Sequence, residues 1–409
     1  MLTDKTGTAQ QIGFKEFVAL VAAMMACQAL AIDAMLPALS TIAHALDVNN
    51  ENNAQWIITA YVAGMGCGQL LWGVLSDRFG RRVVLLTGLA LYAIAALLSG
   101  FADSFTSLLT WRFVHGLAAA SMVVTRSVIR DVYEGRQMAR VMSWTFIVFI
   151  MIPVIAPTIG QLILLFAPWR YLFVMFGVFA MAVWLWALLR LRETLHPEFR
   201  LSLNLSHITQ AAKQVLGERS AMSYTLALTV VFGSLLAYIN MVQQIFSEVF
   251  NRPTLMPGMF ALCAAAMGVA SFVNSKIVER HGMRKVSQIG LLLFIGTSAL
   301  HALITVLGYE TLLTFVVLQS ATMSCIGLML ANFGTMAMEP MGAVAGIAAS
   351  LQGFISTSGG ALLGALIGRQ FNNTTLPLTV GAAVCGVLAL LLVWFAERGR
   401  LLHPHDRVD

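Results

Sequence analysis

Charged side chains are scarce in this sequence: they make up 11% of its 409 residues, whereas 58% of the residues are hydrophobic. Soluble domains carry roughly 25% charged residues, so the composition excludes a water-soluble globular enzyme. Glycine (33) and proline (10) are not in excess, which excludes collagen-like and disordered chains. A helical membrane protein remains, because one bilayer crossing takes about 20 mostly apolar residues and such stretches recur along the whole chain.

Cysteine is also rare, and all five cysteines fall inside apolar stretches, where a thiol acts as a small hydrophobic group. We therefore expect no disulfide. The net charge of +6 is spread between apolar stretches rather than clustered with exposed aromatics, so we expect no nucleic-acid partner. The first sixteen or so residues carry no small-residue cleavage site and lead into a full-length apolar span, which is not typical of a removable signal peptide.

Apolar runs bounded by charges and turn residues predict twelve membrane-spanning helices. They lie near residues 17–39, 55–76, 83–102, 108–129, 141–164, 170–190, 221–243, 256–276, 286–307, 311–334, 343–367 and 377–396. A polar stretch over 191–220, with an amphipathic run from Leu205 to Leu216, separates them into two sets of six. We therefore expect an all-α membrane protein with an N-terminal six-helix bundle (1–190), a cytoplasmic linker (191–220) and a C-terminal six-helix bundle with a cytoplasmic tail (221–409).

The distribution of lysine and arginine predicts the orientation. If the N-terminus is cytoplasmic, all but four of the 25 basic residues fall on cytoplasmic segments. The exceptions are Arg112, Arg170, Arg252 and Arg369. By the positive-inside rule both termini are cytoplasmic.

A short motif occurs twice, about half a chain length apart. The turn after span 2 reads SDRFGRR over 76–82, and the turn after span 8 reads VERHGMR over 278–284. Such a repeat predicts two parallel six-helix bundles with the substrate site between them.

Two charged residues lie well inside predicted spans, where a charge costs about 2.5–3.5 kcal/mol on insertion scales and is usually functional. At 1.5 Å per residue, Asp33 lies about 9 Å, and Arg112 roughly 6 Å, from the external ends of spans 1 and 4. The similar depths predict one shared cavity in which Asp33 exchanges a proton and Arg112 modulates it. Two alternatives stay open: Asp33 caps the helix end near Pro37, or the Arg112 side chain extends to the membrane surface.

Histidines inside the spans have two interpretations. His115 stands one turn beyond Arg112 and is a candidate proton relay. A packed, neutral imidazole bonded to a neighbouring span is the favoured interpretation for His115, and also for His301 in span 9.

The turn after span 2 is also a candidate conformational latch. Gly73 allows close helix approach, Gly80 suits a tight turn, and Asp77 can face the positive N-terminus of span 11 near Gly342. We expect Arg81 to pair with Asp131 at the inner end of span 4. The alternative is ordinary anchoring by positive charge at the cytoplasmic surface.

These segments resemble motifs of the major facilitator superfamily. Residues 73–82 resemble its motif A, 109–116 (LTWRFVHG) its motif B, and 153–160 (PVIAPTIG) its antiporter motif, in which Pro153, Pro157 and Gly160 kink the helix. Residues 33–39 (DAMLPAL) and 125–133 (TRSVIRDVY) resemble the bicyclomycin/chloramphenicol resistance (Bcr/CflA) branch of proton-coupled drug exporters.

The resemblance implies proton-driven export, with Asp33 as the membrane acid and Arg112 as the motif B arginine. The sequence departs from the family pattern at Pro153 and Gln161, where glycines are usual, and at Met25, where some exporters carry a second acid. Met283 in the second motif A copy replaces the equivalent of Arg81, so we expect the latch there to be weaker or absent.

Few polar residues are placed to hold a substrate. The candidates are Tyr61, Gln161, Tyr238, Asn240 and Gln243. Hydrogen bonding between helices explains each of them equally well.

The sequence therefore predicts a bacterial inner-membrane drug:proton antiporter that uses the proton motive force and no cofactor or metal. Its partners are a small-molecule substrate, protons and the lipid bilayer, and a monomer is expected by analogy. An exporter of one native metabolite (a sugar, amino acid derivative or siderophore) and a symport importer stay open. A membrane enzyme is disfavoured because no metal cluster, nucleophile elbow or phosphate-binding loop is present in the sequence.

Overall fold

The computed structural model describes residues 12–196, 198 and 205–401, and over these ranges the chain is helical without strands. The chain divides into two compact units, Met1–Leu205 (unit 1) and Ser206–Asp409 (unit 2). Most of the predicted N-terminal tail, part of the predicted linker and most of the C-terminal tail lie outside the described residues.

Unit 1 contains eight helices among its described residues. Short 3₁₀ turns join the first helix to the second and the fifth helix to the sixth. They are α1 (Phe14–Asp33), α2 (Leu39–Ala45), α3 (Trp56–Phe79), α4 (Arg81–Gly100), α5 (Phe105–Ala119), α6 (Val124–Val132), α7 (Gly135–Phe166) and α8 (Arg170–Arg190).

Unit 2 begins with a short amphipathic helix and continues with six long ones. They are α9 (Leu205–Gly217), α10 (Arg219–Gln244), α11 (Met256–His281), α12 (Met283–Val306), α13 (Leu312–Met338), α14 (Ala345–Gly368) and α15 (Leu376–Ala396). α10 ends in a π-helical turn over Ile245–Val249.

Each of the twelve predicted spans lies on these helices, so the predicted fold class is confirmed. Within the part of the chain that the structure describes, eleven helical segments are long and apolar enough to cross a membrane. The predicted fifth span lies on α7, a helix of 32 residues whose apolar part includes Met151–Phe166.

Glycines let the helices of unit 1 approach closely. Gly64 of α3 lies against the Phe113 carbonyl of α5, and Gly116 of α5 lies against the Tyr61 carbonyl of α3. A Cβ at either glycine would overlap the facing carbonyl oxygen. α3 and α5 therefore pack backbone to backbone, as small residues permit in membrane helices.

The amphipathic run predicted from Leu205 is present as α9. Val215 packs with Ala221, Met341 and Ala348, so the apolar face of α9 covers the connection between α13 and α14. Lys213 on the other face is exposed.

Candidate functional site

α1 ends at Asp33 because of Pro37, four residues later. Proline lacks a backbone N–H, and its ring clashes with the carbonyl four residues before it, which here belongs to Asp33. Met35 N–H instead bonds to the Ile32 carbonyl (3.3 Å), and a short 3₁₀ turn follows. The span predicted over 17–39 is thus a broken helix, and it extends further, through α2.

Asp33 is buried at this break, with 5% of its surface exposed. Among the described residues, no hydrogen bond or ion pair to its carboxylate is present. Helix resumes beyond it and continues to Ala45. The burial of Asp33 disfavours an exposed cap, and its depth in the membrane stays a prediction.

Arg112 is fully buried in α5, so the alternative that its side chain extends to the membrane surface is wrong. Its Nε donates to the Ile57 carbonyl of α3 (3.1 Å) and its Nη2 to the Ala31 carbonyl of α1 (3.0 Å). The guanidinium carbon lies 4.4 Å from the centre of the Tyr61 ring. Arg112 therefore reaches α1 two residues from Asp33, through the backbone and not through a salt bridge to the carboxylate.

His115 is also fully buried, and its Nδ1 lies 3.1 Å from Nη1 of Arg112. Arginine only donates hydrogen bonds, so Nδ1 is the acceptor and the ring proton is on Nε2. Within the described residues Nε2 has no hydrogen-bond partner. Tyr61 and Tyr92 contact the ring edge to face, at 5.1 and 4.1 Å between centres. This geometry fits a packed, neutral imidazole better than the proton relay. The hydrogen bond of His115 is, however, to Arg112 of its own helix and not to a neighbouring span.

Two tyrosines and one glutamine make further polar contacts in the second half of α1. Tyr61 Oη donates to the Gln28 carbonyl (3.2 Å) and Tyr92 Oη to the Cys27 carbonyl (2.7 Å). Gln28 Nε2 donates to the Ala119 carbonyl (2.6 Å). Tyr61, a predicted substrate residue, is thus buried and forms a hydrogen bond between α3 and α1. This agrees with the alternative interpretation, in which Tyr61 bonds to a neighbouring helix.

The antiporter-like segment packs against the break in α1. Pro153 and Pro157 lie inside α7, which continues through both. Gly160 lies so close to the Ala34 carbonyl that a Cβ would overlap its oxygen. The motif glycine is therefore in contact with the residue that follows Asp33.

The predicted contact between Arg81 and Asp131 is present. Nε of Arg81 lies 3.2 Å from Oδ2 of Asp131, and the same guanidinium pairs with Asp77 and donates to Ser76 Oγ (2.7 Å). Gly80 has a φ of +105°, which favours glycine. The expected contact of Asp77 with span 11 and the close approach at Gly73 stay predictions.

Glu193, at the start of the linker, was not found from the sequence. Its carboxylate accepts from the backbone N–H of Arg81 (2.8 Å) and of Arg82 (3.2 Å), and it lies against Gly80. A carboxylate there complements the positive N-terminus of α4. Asp77, Arg81, Asp131 and Glu193 form one group, which we name the motif A cluster.

The second motif copy has an ion-pair group of its own. Arg284 lies 2.9 Å from Glu397 and 3.0 Å from Glu339, and Tyr224 donates to Glu397. In unit 1 the equivalent residue, Arg82, donates to the Leu191 carbonyl (2.7 Å) after α8. In both units the last motif arginine therefore ties the turn to the end of the sixth span.

The other predicted substrate residues do not share one helix face. Tyr238 and Asn240 are two residues apart on α10, about 200° around the helix at 3.6 residues per turn. Tyr238 stacks on Phe260 (5.7 Å between ring centres), and Gln243 is buried on α10. Gln161 follows Gly160 on α7 and is half-buried.

His301 is buried in unit 2 with an acidic partner that the sequence did not reveal. Its Nε2 lies 2.8 Å from Glu310 Oε1, and Thr375 Oγ1 donates to Oε2 of the same carboxylate (2.5 Å). The three residues tie together the end of α12, the turn before α13 and the start of α15. These contacts support the interpretation of His301 as a packed residue that bonds to a neighbouring part of the fold.

Curated relatives cover nearly the whole chain. An uncharacterised MFS-type transporter, YdgK, of Bacillus subtilis (strain 168) is 30% identical over 88% of this chain and 90% of its own length. The bicyclomycin resistance protein homolog of Haemophilus influenzae is 28% identical (89% and 92% covered). The multidrug resistance protein MdtL of Escherichia coli (strain HS) is also 28% identical (92% and 94% covered).

Solved structures agree with the fold. A D-xylose-proton symporter superposes with a TM-score of 0.69 at 15% identity, covering 93% of this chain and 97% of its own. The human organic anion transporter MFSD10 gives a TM-score of 0.63 at 18% identity, with 94% and 100% covered. The family model "Major Facilitator Superfamily" matches residues 21–364. The chain therefore belongs to the Major Facilitator Superfamily, in agreement with the resemblance found in its motifs.

Proposed function

We propose that this transporter is a multidrug:proton antiporter of the Bcr/CflA branch that exports small amphipathic compounds by alternating access across the bacterial inner membrane, with both termini cytoplasmic. The observation that carries the proposal is the buried carboxylate of Asp33, which has no partner among the described residues. A buried charge without a partner is costly, whereas a protonated carboxyl group is neutral. Asp33 is thus suited to bind and release a proton during the cycle.

The relatives support a drug as the cargo. Two of them are named for bicyclomycin or multidrug resistance and are similar to this chain over about nine-tenths of its length. The antiporter-like segment of α7, with Pro157 inside the helix and Gly160 packed against the break in α1, supports exchange over symport.

In the proposed cycle, protonation of Asp33 from the external side favours substrate release and return to the inward-open state. Loss of the proton to the cytoplasm favours loading of the next substrate. Each entering proton supplies about 1.4 kcal/mol per pH unit. It supplies about 2.3 kcal/mol more per 100 mV when one net charge crosses.

The experiment that tests this function is transport into inverted membrane vesicles that contain the chain. An inside-acid pH gradient is imposed, and accumulation of a panel of neutral and cationic drugs is measured with and without an uncoupler. Accumulation of several unrelated drugs, abolished by the uncoupler, is expected. Accumulation of a single compound points to a dedicated exporter, and the absence of gradient-driven accumulation contradicts proton antiport.

A further inference from the structure

Two backbone carbonyl groups, one before and one after Asp33 in the chain, contact other helices. On one side, the Ala31 carbonyl accepts a hydrogen bond from Nη2 of Arg112 at 3.0 Å. On the other side, the Ala34 carbonyl lies directly against Gly160 of α7. Helices α5 and α7 therefore each contact the backbone within two residues of Asp33.

The backbone determines where the Asp33 carboxylate lies. The carboxylate has no hydrogen bond or ion pair within the described residues. The peptide that follows it is in the break that Pro37 causes. A small displacement of the Ala34 carbonyl therefore moves the carboxylate with no hydrogen bond or ion pair to resist it.

The face of α7 that packs on α1 is built for close approach. Ala156, Pro157 and Gly160 are buried on one face of α7, and Pro153 stands one turn earlier on the same face. Pro157 removes a backbone hydrogen bond within α7 and so weakens the helix one turn before Gly160. A bend at Pro157 would move Gly160, which lies against the Ala34 carbonyl.

We propose that Gly160 is a positioning residue for the proton site: its contact with Ala34 couples the bend of α7 to the position of the Asp33 carboxylate. The inference rests on the proposed function for its role in transport. The close contact itself, and its effect on proton binding by Asp33, do not depend on that function.

Few ionisable groups surround this part of α1. α5 contributes Arg112 and His115, and α3 contributes Tyr61, whose hydroxyl is within electrostatic range of Asp33. α4 contributes Tyr92, whose hydroxyl donates to the Cys27 carbonyl. The buried face of α7 carries no ionisable side chain, and the two arginines of that helix, Arg136 and Arg140, stand in its first two turns. A change at Gly160 therefore acts on proton binding through position and not through a new charge.

The test measures protonation of Asp33 directly in the purified full chain in detergent micelles. Dicyclohexylcarbodiimide reacts with protonated carboxyl groups in apolar surroundings, and mass spectrometry of the peptide that contains Asp33 gives the modified fraction. The pH midpoint of this modification is compared between the wild type and Gly160→Ala. We expect a shift of about half a pH unit or more, because the added Cβ must displace the Ala34 carbonyl.

A matched control is available in unit 2. Gly327 of α13 also faces a carbonyl oxygen, that of Met267, so Gly327→Ala introduces the same kind of overlap away from Asp33. We expect its modification midpoint to equal that of the wild type. A monodisperse Gly160→Ala protein with an unchanged midpoint would overturn the proposal.

A second variant keeps the test open if Gly160→Ala does not fold. Pro37→Ala restores an N–H that can bond to the Asp33 carbonyl and removes the break that Gly160 contacts. We expect it to shift the midpoint as well. Pro377→Ala, in the first turn of α15 where a missing N–H is harmless, is its control. An unchanged pH midpoint of Asp33 modification in Pro37→Ala would also contradict the proposal.

The modification reads the carboxyl group and not transport, so failure of the two proposals can be told apart. A shifted modification midpoint in Gly160→Ala, found together with undiminished transport in Asp33→Asn, would contradict the proposed proton coupling and leave the positioning by Gly160 intact. An unchanged midpoint in Gly160→Ala, found together with loss of coupled transport in Asp33→Asn, would contradict the positioning by Gly160 and leave the proposed proton coupling intact.

Discussion

The guanidinium of Arg112 donates a hydrogen bond to Nδ1 of His115 across 3.1 Å in the buried centre of unit 1. This bond fixes the imidazole in one tautomer, because Nδ1 cannot hold a proton while it accepts from Arg112. It also leaves the remaining guanidinium nitrogens for the carbonyls of α1 and α3. Arg112 thus ties three helices together beside Asp33.

The first prediction concerns His115. We expect His115→Asn to keep the pH dependence of transport, because the amide oxygen replaces Nδ1 as the acceptor for Arg112. His115→Phe removes that acceptor and should cost about 1–3 kcal/mol, since a buried donor is left unpaired. Transport in vesicles as a function of pH and thermal unfolding in micelles check the two statements. A shifted pH midpoint in His115→Asn would instead support the interpretation of His115 as a proton relay.

The second prediction concerns Glu193. We expect Glu193→Gln to lower stability by about 0.5–2 kcal/mol, because the N-terminus of α4 loses a charged capping group. The control is Glu198→Gln, in the same linker, where the carboxylate is 81% exposed and 3.9 Å from His196. Thermal unfolding of both purified variants is the measurement. Equal melting temperatures in the two variants would show that Glu193 does not stabilise the motif A cluster.

The third prediction concerns Glu310 in unit 2. Glu310→Ala leaves buried His301 and Thr375 without their shared acceptor, so we expect a loss of about 1–3 kcal/mol. Glu310→Gln, which keeps one acceptor oxygen, should lose less. The melting temperature in micelles is expected to fall in the order wild type, Glu310→Gln, Glu310→Ala. A Glu310→Ala protein as stable as the wild type would contradict this account of the group.

The fourth prediction concerns the packing of α3 on α5. Gly116→Ala adds a Cβ that overlaps the Tyr61 carbonyl, so we expect a loss of about 1–3 kcal/mol and a lower yield of folded protein. Gly296→Ala on α12 is the control, because nothing lies within 4 Å of its added Cβ. It should raise stability by roughly 0.5–1 kcal/mol, since alanine favours helix. Similar yields for the two variants would argue against backbone-to-backbone packing.

Hydropathy and charge were sufficient to predict the helices, because each span must satisfy its own backbone hydrogen bonds in lipid. The contact between Arg81 and Asp131 could be predicted for a related reason: each charge lies at the inner end of a span, near the same membrane surface. The break in the first span after Asp33 was not predicted although Pro37 was visible. Periodicity alone does not show whether a helix resumes after a proline.

Apart from the pair of Arg81 and Asp131, the partners of the site residues could not be predicted from the sequence. Glu193 is separated from Arg81 by 112 residues, and no local pattern connects them. Gly160 and Ala34 meet only through the packing of α7 on α1. Two hydrogen bonds of Arg112 go to the backbone carbonyls of Ile57 and Ala31. Every residue carries a backbone carbonyl, so no residue type marks these partners in advance.

The most direct test of the account compares Asp33→Asn with the wild type in inverted vesicles energised by an inside-acid gradient. Asp103→Asn is the matched control, because its carboxylate lies in the same unit but is 98% exposed. We expect gradient-driven drug accumulation to disappear in Asp33→Asn and to persist in Asp103→Asn. Accumulation by Asp33→Asn at the wild-type rate and with unchanged pH dependence would contradict the central claim that Asp33 couples proton entry to export.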